Sequence, residues 1–425
     1  MRRLALLNVL LLICVAVPNL AMAAAHYVRS GAAGNSSGTD WTNAWTALPS
    51  TLTRGDTYYI ADGSYGSYTF NDAASGSTKI YVKKAIASDH GTDTGWLSSY
   101  GDGQAVFSAT VYFTTSYWVF DGQTGSGKSG YGFKITTSGA NKLLRFDNTP
   151  SYITVSRVEM QHRGINTESG DDIIYTLGAK YITVSRCYLH DAGRAPILLR
   201  GTTDSIFEYL YVARNWSTGT EHSEGISAYN GTHRNIVRHS VWEDITGTGV
   251  LMFDGDGWEI YGNVLFYTPG FTGSVGNGAI ATWTGYSVTN AKVYNNTFVN
   301  LKGWNTGLSF DLGGSNKAYN NLWYNCERVK FGNVSHDYDW FYNSGTQSET
   351  HAQYGAGDPF VSSALYNYRL KSATAAGLAL SSPYNIDMEG KVRGSDGVWD
   401  RGAYEYGVGS INNTTPSAPG GLTVN

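Results

Sequence analysis

Short runs of alternating apolar and polar residues recur along this chain in two interleaved columns. The runs of the first column start 29, 23, 30, 23, 33 and 25 residues apart: VSRVEMQH (155–162), VSRCYLHD (184–191), FEYLYVAR (207–214), VRHSVWED (237–244), IYGNVLFY (260–267), VYNNTFVN (293–300) and AYNNLWYN (318–325). The second column comprises IIYTLG (173–178), PILLRG (196–201), GISAYNG (225–231), GVLMFDG (249–255), GAIATWTG (278–285) and GLSFDLG (307–313). Alternation of this kind predicts short strands that are separated by turns.

Neither run can bury its apolar side alone, whereas stacked repeats give every strand a neighbour above and below. The pattern therefore predicts a solenoid of parallel strands, with the irregular spacing absorbed by insertions in the turns. Asn263, Asn296 and Asn321 share one position of the first column, which predicts an asparagine ladder along one turn.

Composition narrows the class of protein. Glycine supplies 52 of 425 residues and charged residues only 15%, while Tyr (31) and Trp (12) are abundant. This profile is typical of extracellular β proteins, in which tight turns connect many short strands. The net charge of −4 is acidic, whereas a nucleic-acid-binding surface is basic, so we expect no nucleic-acid partner.

The two ends of the chain differ from the middle. Residues 1–23 combine Arg2 and Arg3, an apolar run and a small-residue site at 21–23, which predicts a cleaved signal peptide and a secreted, periplasmic or cell-surface protein. No later stretch is long and apolar enough to predict a transmembrane segment. Residues 24–406 are expected to form the repeat domain, and 407–425 a linker and the possible start of a fibronectin type III module.

From 25 to 406 the chain resembles the pectate-lyase-like β-helix superfamily. The run AHYVRSGAAGNSSGTDWTNAWTAL (25–48) is similar to the strand and short capping helix that open its members, and 357–406 is similar to their closing cap. The resemblance implies an all-β fold, a single right-handed parallel β-helix with a short N-terminal capping helix. One such fold carries many functions, so the caps alone say little about chemistry.

The stacking of coils also separates the two cysteines outside the leader. Five coils lie between Cys187 and Cys326, which puts them roughly 24 Å apart at about 4.8 Å per coil. A disulfide requires Cα atoms within about 7 Å. We therefore expect two free thiols.

Chemistry on a filled solenoid belongs to outward side chains. Alternation within the second column directs Ile226 and Ala228 inward and Ser227 and Tyr229 outward. Aligning the other runs on this one predicts an outward row of Thr176, Arg200, Tyr229, Phe253, Thr282 and Asp311. Arg200 and Tyr229 would then be immediate neighbours.

The segment TEHSEGISAYNG (220–231) concentrates ionisable residues before the strand that carries Tyr229. It is similar to a motif of the chondroitinase B and alginate lyase family, in which two Glu three residues apart help to bind calcium before an Ile-Ser strand. Glu221 and Glu224 match that pair. Tyr229 stands where the family has its Lys base, and Phe253 where it has an Arg, so this chain departs from the family's own catalytic pair.

These residues define a hypothesis for β-elimination on a uronic-acid-containing polysaccharide. Tyr229 is the expected base or acid, Arg200 neutralises the uronate carboxylate, and His222 is a partner. The acids expected to hold a Ca²⁺ ion, if one binds, are Glu221, Glu224, Asp171 and Asp172. The expected substrate-binding residues are Arg194, Phe253, Asp254, Trp283 and Asp311.

Simpler alternatives stay open. Tyr229 can stack on a sugar without catalysis, and Arg200 can pair with an acid of a neighbouring coil such as Asp172. The protein as a whole can be a polysaccharide lyase, a glycoside hydrolase that uses two of the carboxylates, or a noncatalytic polysaccharide-binding protein or adhesin. The sequence leaves the polysaccharide and the oligomeric state open.

Overall fold

The computed structural model describes residues 23–139, 142–164, 171–216 and 223–407, and these form one parallel β-helix. Three sheets, here called A, B and C, run along its axis, and every strand pair within them is parallel. The expected all-β solenoid is confirmed. The strands of sheet A are Ala25–Val28, Thr57–Ile60, Ile80–Lys84, Trp118–Asp121, Ser151–Ser156, Lys180–Ser185, Ile206–Glu208, Ile236–Arg238, Glu259–Tyr261, Lys292–Tyr294, Lys317–Tyr319 and Ser335–Asp337.

Sheets B and C complete each coil. The strands of sheet B are Gly63–Tyr65, Ala105–Phe107, Phe133–Thr136, Val158–Gln161, Tyr188–Ala192, Tyr211–Asn215, Val241–Ile245, Val264–Phe266, Thr297–Val299, Leu322–Tyr324, Trp340–Tyr342 and Gln353–Gly355. The strands of sheet C are Tyr68–Phe70, Val111–Phe113, Leu144–Phe146, Ile174–Leu177, Ile197–Arg200, Ile226–Tyr229, Gly247–Phe253, Val275–Thr282, Leu308–Ser309 and Phe331–Gly332.

A few short elements lie outside the three sheets. Gly255–Asp256 pairs in parallel with Val288–Thr289, and Phe360–Ser362 pairs antiparallel with Asn367–Leu370 in the closing cap. The helices of the described residues are two short 3₁₀ turns, Ser98–Tyr100 and Ser363–Leu365. None of the described helices is long and apolar enough to cross a lipid bilayer.

Each run of the first column is two strands and not one. Its third residue has a left-handed backbone, which bends the chain from sheet A into sheet B. The residues at this bend are Arg157, Arg186, Tyr209, His239, Gly262, Asn295 and Asn320, with φ between 50° and 65°. Left-handed residues interrupt a strand because their neighbours no longer continue the pleat. A coil therefore has three strands where the sequence pattern showed two runs.

The core is a column of stacked apolar side chains inside the coils. Phe70, Phe113 and Phe146 are fully buried in successive turns of sheet C, with ring centroids 4.6 and 5.4 Å apart. Burying a side chain of this size contributes about 2–3 kcal/mol. Inward positions of the coils are therefore committed to stability, and outward ones carry the chemistry.

The predicted asparagine ladder is confirmed at the turn between sheets A and B. The Asn296 side-chain oxygen accepts the Asn263 backbone N–H at 3.0 Å, and the Asn321 oxygen accepts that of Asn296 at 3.0 Å. Asp339 extends the ladder by accepting the Asn321 N–H at 2.7 Å. These bonds satisfy buried backbone groups that the turn leaves outside the sheets.

The expected N-terminal capping helix is not found in the described chain. After Ala25–Val28 the segment up to Ser50 consists of turns and bends. Gly31, Gly34 and Gly38 lie there among Ser, Thr, Asn and Asp, residues whose backbone freedom and side-chain hydrogen bonds favour turns over a helix. Trp41, fully buried, closes this end of the solenoid by packing on Tyr27 at 4.9 Å.

The two cysteines of the described chain are free, as expected. Cys187 and Cys326 are both buried and form no disulfide. At the other end, the closing cap packs on the outward side of sheet B, where the ring of Tyr368 lies 5.1 Å from Phe266. Residues 1–22 and 408–425, which include most of the predicted leader and linker, lie outside the described residues.

Candidate functional site

The candidate site is formed by the outward side chains of sheet C, because parallel register places equivalent positions of successive coils side by side. Arg200 pairs directly with Tyr229, as expected, and Leu198 pairs with Ser227. Arg200 is exposed and Tyr229 is half-buried, whereas Ile226 and Ala228 are fully buried. The predicted neighbourhood of Arg200 and Tyr229 is therefore present on the surface.

Three members of the expected outward row point into the core. Thr176, Phe253 and Thr282 are at most 2% exposed, and the Phe253 ring packs on Trp258 at 4.2 Å, so Phe253 is wrong as a substrate-binding residue. The runs GISAYNG and GVLMFDG do not align at their opening glycines, because Ile226 pairs with Leu251 and not with Val250. A shift of one residue moves a side chain to the opposite face of a strand.

The corrected register places Trp283 beside Tyr229. Their rings stack with centroids 5.3 Å apart and planes 16° apart, and Tyr286 meets the Tyr229 ring edge-on at 6.2 Å. Three aromatic side chains thus form one platform on sheet C. The predicted binding residue Trp283 lies within the site.

The surroundings of Tyr229 favour its protonated form. Burial raises the pKa of Tyr229 well above its usual value, the nearby Glu224 carboxylate raises it further, and Ser227 and Arg194 act in the opposite direction. Ser227 in turn donates a hydrogen bond to Glu224 at 3.1 Å. Tyr229 therefore carries its proton at neutral pH, so it can act as an acid directly but as a base only after it has lost that proton.

The predicted calcium-binding acids among the described residues are buried and held by protein groups. Asp171 accepts three hydrogen bonds from the Arg163 guanidinium at 3.0–3.1 Å. Asp172 faces Lys142 at 3.2 Å and Arg194 at 3.4 Å, and burial raises its pKa although both cations oppose the shift. Glu224 accepts the Thr248 N–H at 3.0 Å. Arg194, a predicted binding residue, is thus anchored at the rim by Asp172.

Asp171 and Asp172 do not fit a calcium ion, and the predicted role of Glu224 in calcium binding stays a prediction. Cationic side chains already face both Asp171 and Asp172, and they would repel a divalent cation. Within the described chain, no three His, Cys, Asp or Glu side chains converge in a way that could hold a metal. Glu221 and His222 lie outside the described residues, so their predicted roles are untested.

Asp254 and Asp311 stabilise turns along the rim of sheet C. The Asp254 carboxylate accepts the Gly231 N–H at 3.1 Å, and that of Asp311 accepts the Gly285 N–H at 2.8 Å. Each carboxylate therefore connects its own coil to the preceding one. Their predicted contact with substrate stays a prediction.

A set of cations beside the predicted residues was missed by sequence reasoning. Lys142 lies 5.3 Å from the centre of the Tyr175 ring, and Arg145 lies 5.4 and 5.3 Å from the rings of Tyr112 and Tyr175. Tyr112, Arg145 and Tyr175 occupy one outward row of three successive coils. Alternation within LLRF (143–146) signals the outward Arg145, but this coil precedes the aligned repeats.

Stacked parallel strands define the class of protein, a parallel β-helix, and its sheet C has a cationic and aromatic outward face. The family model for the right-handed β-helix region matches residues 109–321, half of the chain, and the chain belongs to that family. Its right-handed parallel β-helix is the fold that the sequence resemblance implied.

Two solved structures are similar in fold. The pectate lyase Pel9A is 14% identical, with a TM-score of 0.57 over 92% of this chain and 98% of that one. A mannuronic-acid-specific family 6 polysaccharide lyase from human gut microbiota is 12% identical, with a TM-score of 0.48 over 72% of this chain and 79% of that one. No curated protein sequence matches. At 14% identity, the likeness to Pel9A establishes the fold alone.

Proposed function

We propose that this protein is a secreted polysaccharide lyase that cleaves a uronic-acid-containing polymer by β-elimination on sheet C. The observation that carries the proposal is the direct pairing of exposed Arg200 with half-buried Tyr229 on an aromatic platform. The Arg200 cation can balance the negative charge of the uronate carboxylate. The protonated Tyr229 phenol can neutralise the charge that develops on the leaving oxygen.

In the reaction, the C5–H bond of a uronate breaks, a C4–C5 double bond forms, and the bond from C4 to the leaving oxygen breaks. Arg200 and Arg194 would stabilise the negative charge that develops on the carboxylate as the proton leaves. Tyr229 would donate its proton to the leaving oxygen. His222, which was predicted as a partner and lies outside the described residues, would accept the C5 proton.

Two further features support an acidic sugar polymer as the substrate. Lys142 and Arg145 add positive charge along the same face, and Trp283 and Tyr286 offer flat rings on which a sugar can stack. A pectate lyase shares the fold over nearly the whole chain, which supports the same class of reaction.

A screen of acidic polysaccharides, such as polygalacturonate and alginate, tests the proposal. A lyase releases unsaturated uronates, which absorb in the ultraviolet, together with new reducing ends. A hydrolase releases reducing ends without that absorbance, and a binding protein releases neither. Either of the last two results, on a polysaccharide that the protein binds, would overturn the proposal.

A further inference from the structure

Trp304 is unusually exposed for so large a side chain. Its side chain is 68% exposed, the largest value for a bulky apolar residue in the described chain. Large apolar rings are normally covered in monomeric proteins unless a ligand or partner uses them. Trp304 belongs to the turn from sheet B into sheet C, three coils from Tyr229, or about 14 Å along the axis.

The backbone on both sides of Trp304 is fixed by the neighbouring coils. The Trp304 N–H donates to the Val275 carbonyl at 3.2 Å. Gly303 has φ of 141°, and a Cβ there would lie 2.0 Å from the same carbonyl oxygen, so only glycine permits this approach. Asn305 donates through its amide to the Asn277 carbonyl at 2.9 Å. The backbone that carries the Trp304 ring is therefore held in place before a ligand binds, which lowers the entropic cost of binding.

Two cations flank the ring. Lys330 Nζ lies 5.0 Å and the Arg328 guanidinium carbon 5.7 Å from the centre of the Trp304 ring, and both side chains are exposed. Neither forms an ion pair with another described residue. The Asn305 side-chain oxygen accepts the Lys330 N–H at 3.1 Å, which holds the segment that carries the two cations beside the turn that carries Trp304.

A pocket of about 400 Å³ adjoins this turn. Lys302 and Glu327, the sequence neighbours of Gly303 and Arg328, line it together with Asn300 and Asn325. Amide and carboxylate groups are suited to the hydroxyl groups of a sugar. The Trp304 ring and the two cations together offer the contacts that an acidic sugar needs.

We infer that Trp304, Arg328 and Lys330 form a distal subsite that holds an acidic sugar residue of the polymer cleaved at Tyr229. The sugar ring stacks on the indole, and its carboxylate pairs with the two cations. This inference rests on the proposed function for the identity of the polymer, but binding at Trp304 does not require cleavage.

Affinity electrophoresis in gels that contain polygalacturonate, alginate or neutral dextran tests the subsite. We expect the unmodified protein to be retarded by an acidic polymer and not by dextran. Trp304→Ala should weaken this binding about tenfold, as loss of a central aromatic contact does, and Trp304→Phe should restore most of it. The double variant Arg328→Gln/Lys330→Gln should bind more weakly and with less dependence on salt.

Matched controls are Leu365→Ala, an equally exposed apolar residue in the closing cap, and Lys180→Gln, an exposed cation on sheet A. Unchanged affinity of Trp304→Ala and of the double variant would overturn the subsite, and cleavage by the unmodified protein would then leave the proposed function standing. Weakened binding without any cleavage would uphold the subsite and overturn the lyase. Failure of the unmodified protein to bind either acidic polymer would overturn the subsite.

Discussion

Burial changes the role that Tyr229 can have. A free phenol loses its proton near pH 10, and a basic role would need neighbours that make this loss easier. Its half-buried position beside Glu224 raises the pKa instead. Sequence reasoning located this residue and its Arg200 neighbour, but it left base and acid open because desolvation depends on the packing of Trp283, Ser227 and Glu224 around the ring.

Arg200 is exposed, so its replacement is expected to affect activity and not folding. Arg200→Gln should lower kcat/KM by about a hundredfold or more, because the carboxylate then loses a charge that stabilises the transition state. Arg200→Lys should retain a substantial part of the rate. Steady-state kinetics on the cleaved polysaccharide measure both, and a Gln variant with normal kcat/KM would remove Arg200 from the mechanism.

His239 provides a pH test at the left-handed bend between sheets A and B. Burial lowers its pKa to about 3, with Arg238 and Arg393 adding to the effect, and the rings of Tyr209 and Tyr261 lie on either side. The unfolded chain gains this proton near pH 6.5, and the folded protein only near 3. The free energy of unfolding should therefore fall as the pH drops from 6.5 towards 3.

The variant His239→Asn isolates this contribution, because Asn295 and Asn320 occupy the same bend in later coils with the same backbone. Urea unfolding at several pH values should show a shallower loss of stability below pH 6.5 in the variant. Equal pH dependence of the two proteins would contradict the assignment to His239.

At the scale of elements, the sequence predicted the repeating strands and the asparagine ladder, but it did not predict the bend and the register shift that interrupt the repeats. The second column corresponds to sheet C, and the asparagine ladder lies where its shared position placed it. The bend within the first column was not predicted, because in the first four coils its left-handed position is occupied by Arg, Tyr or His. Only the later coils have Gly or Asn there, the residues that signal a left-handed backbone. The register of Phe253 was wrong for a similar reason, since the extra residue before Leu251 is visible only in the pairing with Ile226.

The ladder makes a measurable contribution to stability. Asn296→Ala removes its amide donor to the Ile260 carbonyl and its acceptor for the Asn263 N–H, and it leaves buried groups unsatisfied. We expect a loss of about 3 kcal/mol in the free energy of unfolding, measured by denaturant titration. The exposed Asn71→Ala is the control, and equal stability of the two variants would show that the ladder contributes little.

At the scale of the whole molecule, coil stacking was predictable because it follows from repeat spacing alone. It separated Cys187 from Cys326 correctly, and burial raises the pKa of both thiols to about 12. The structure of the N-terminal cap was less predictable. A short helix was expected there, but irregular turns bury Trp41 instead, and these have no periodic sequence pattern. The cations at Lys142 and Arg145 face the site only because three coils stack in register.

The thiols allow a simple check of this stacking. The folded protein should not react with a thiol-specific colorimetric reagent, because the thiols are buried and protonated. After unfolding without reductant, both Cys187 and Cys326 should react. A protein that stays unreactive until reductant is added would contain a disulfide, and the spacing of the coils would then be wrong.

The central claim is that the sheet C face around Tyr229 carries out the cleavage. The most direct measurement is the initial rate of unsaturated product formation at saturating polysaccharide, compared between the unmodified protein and Tyr229→Phe. Phe keeps the stacking on Trp283 and removes only the hydroxyl group. We expect the rate to fall by about a hundredfold or more with unchanged stability, whereas a Phe variant that cleaves at the original rate would contradict the account.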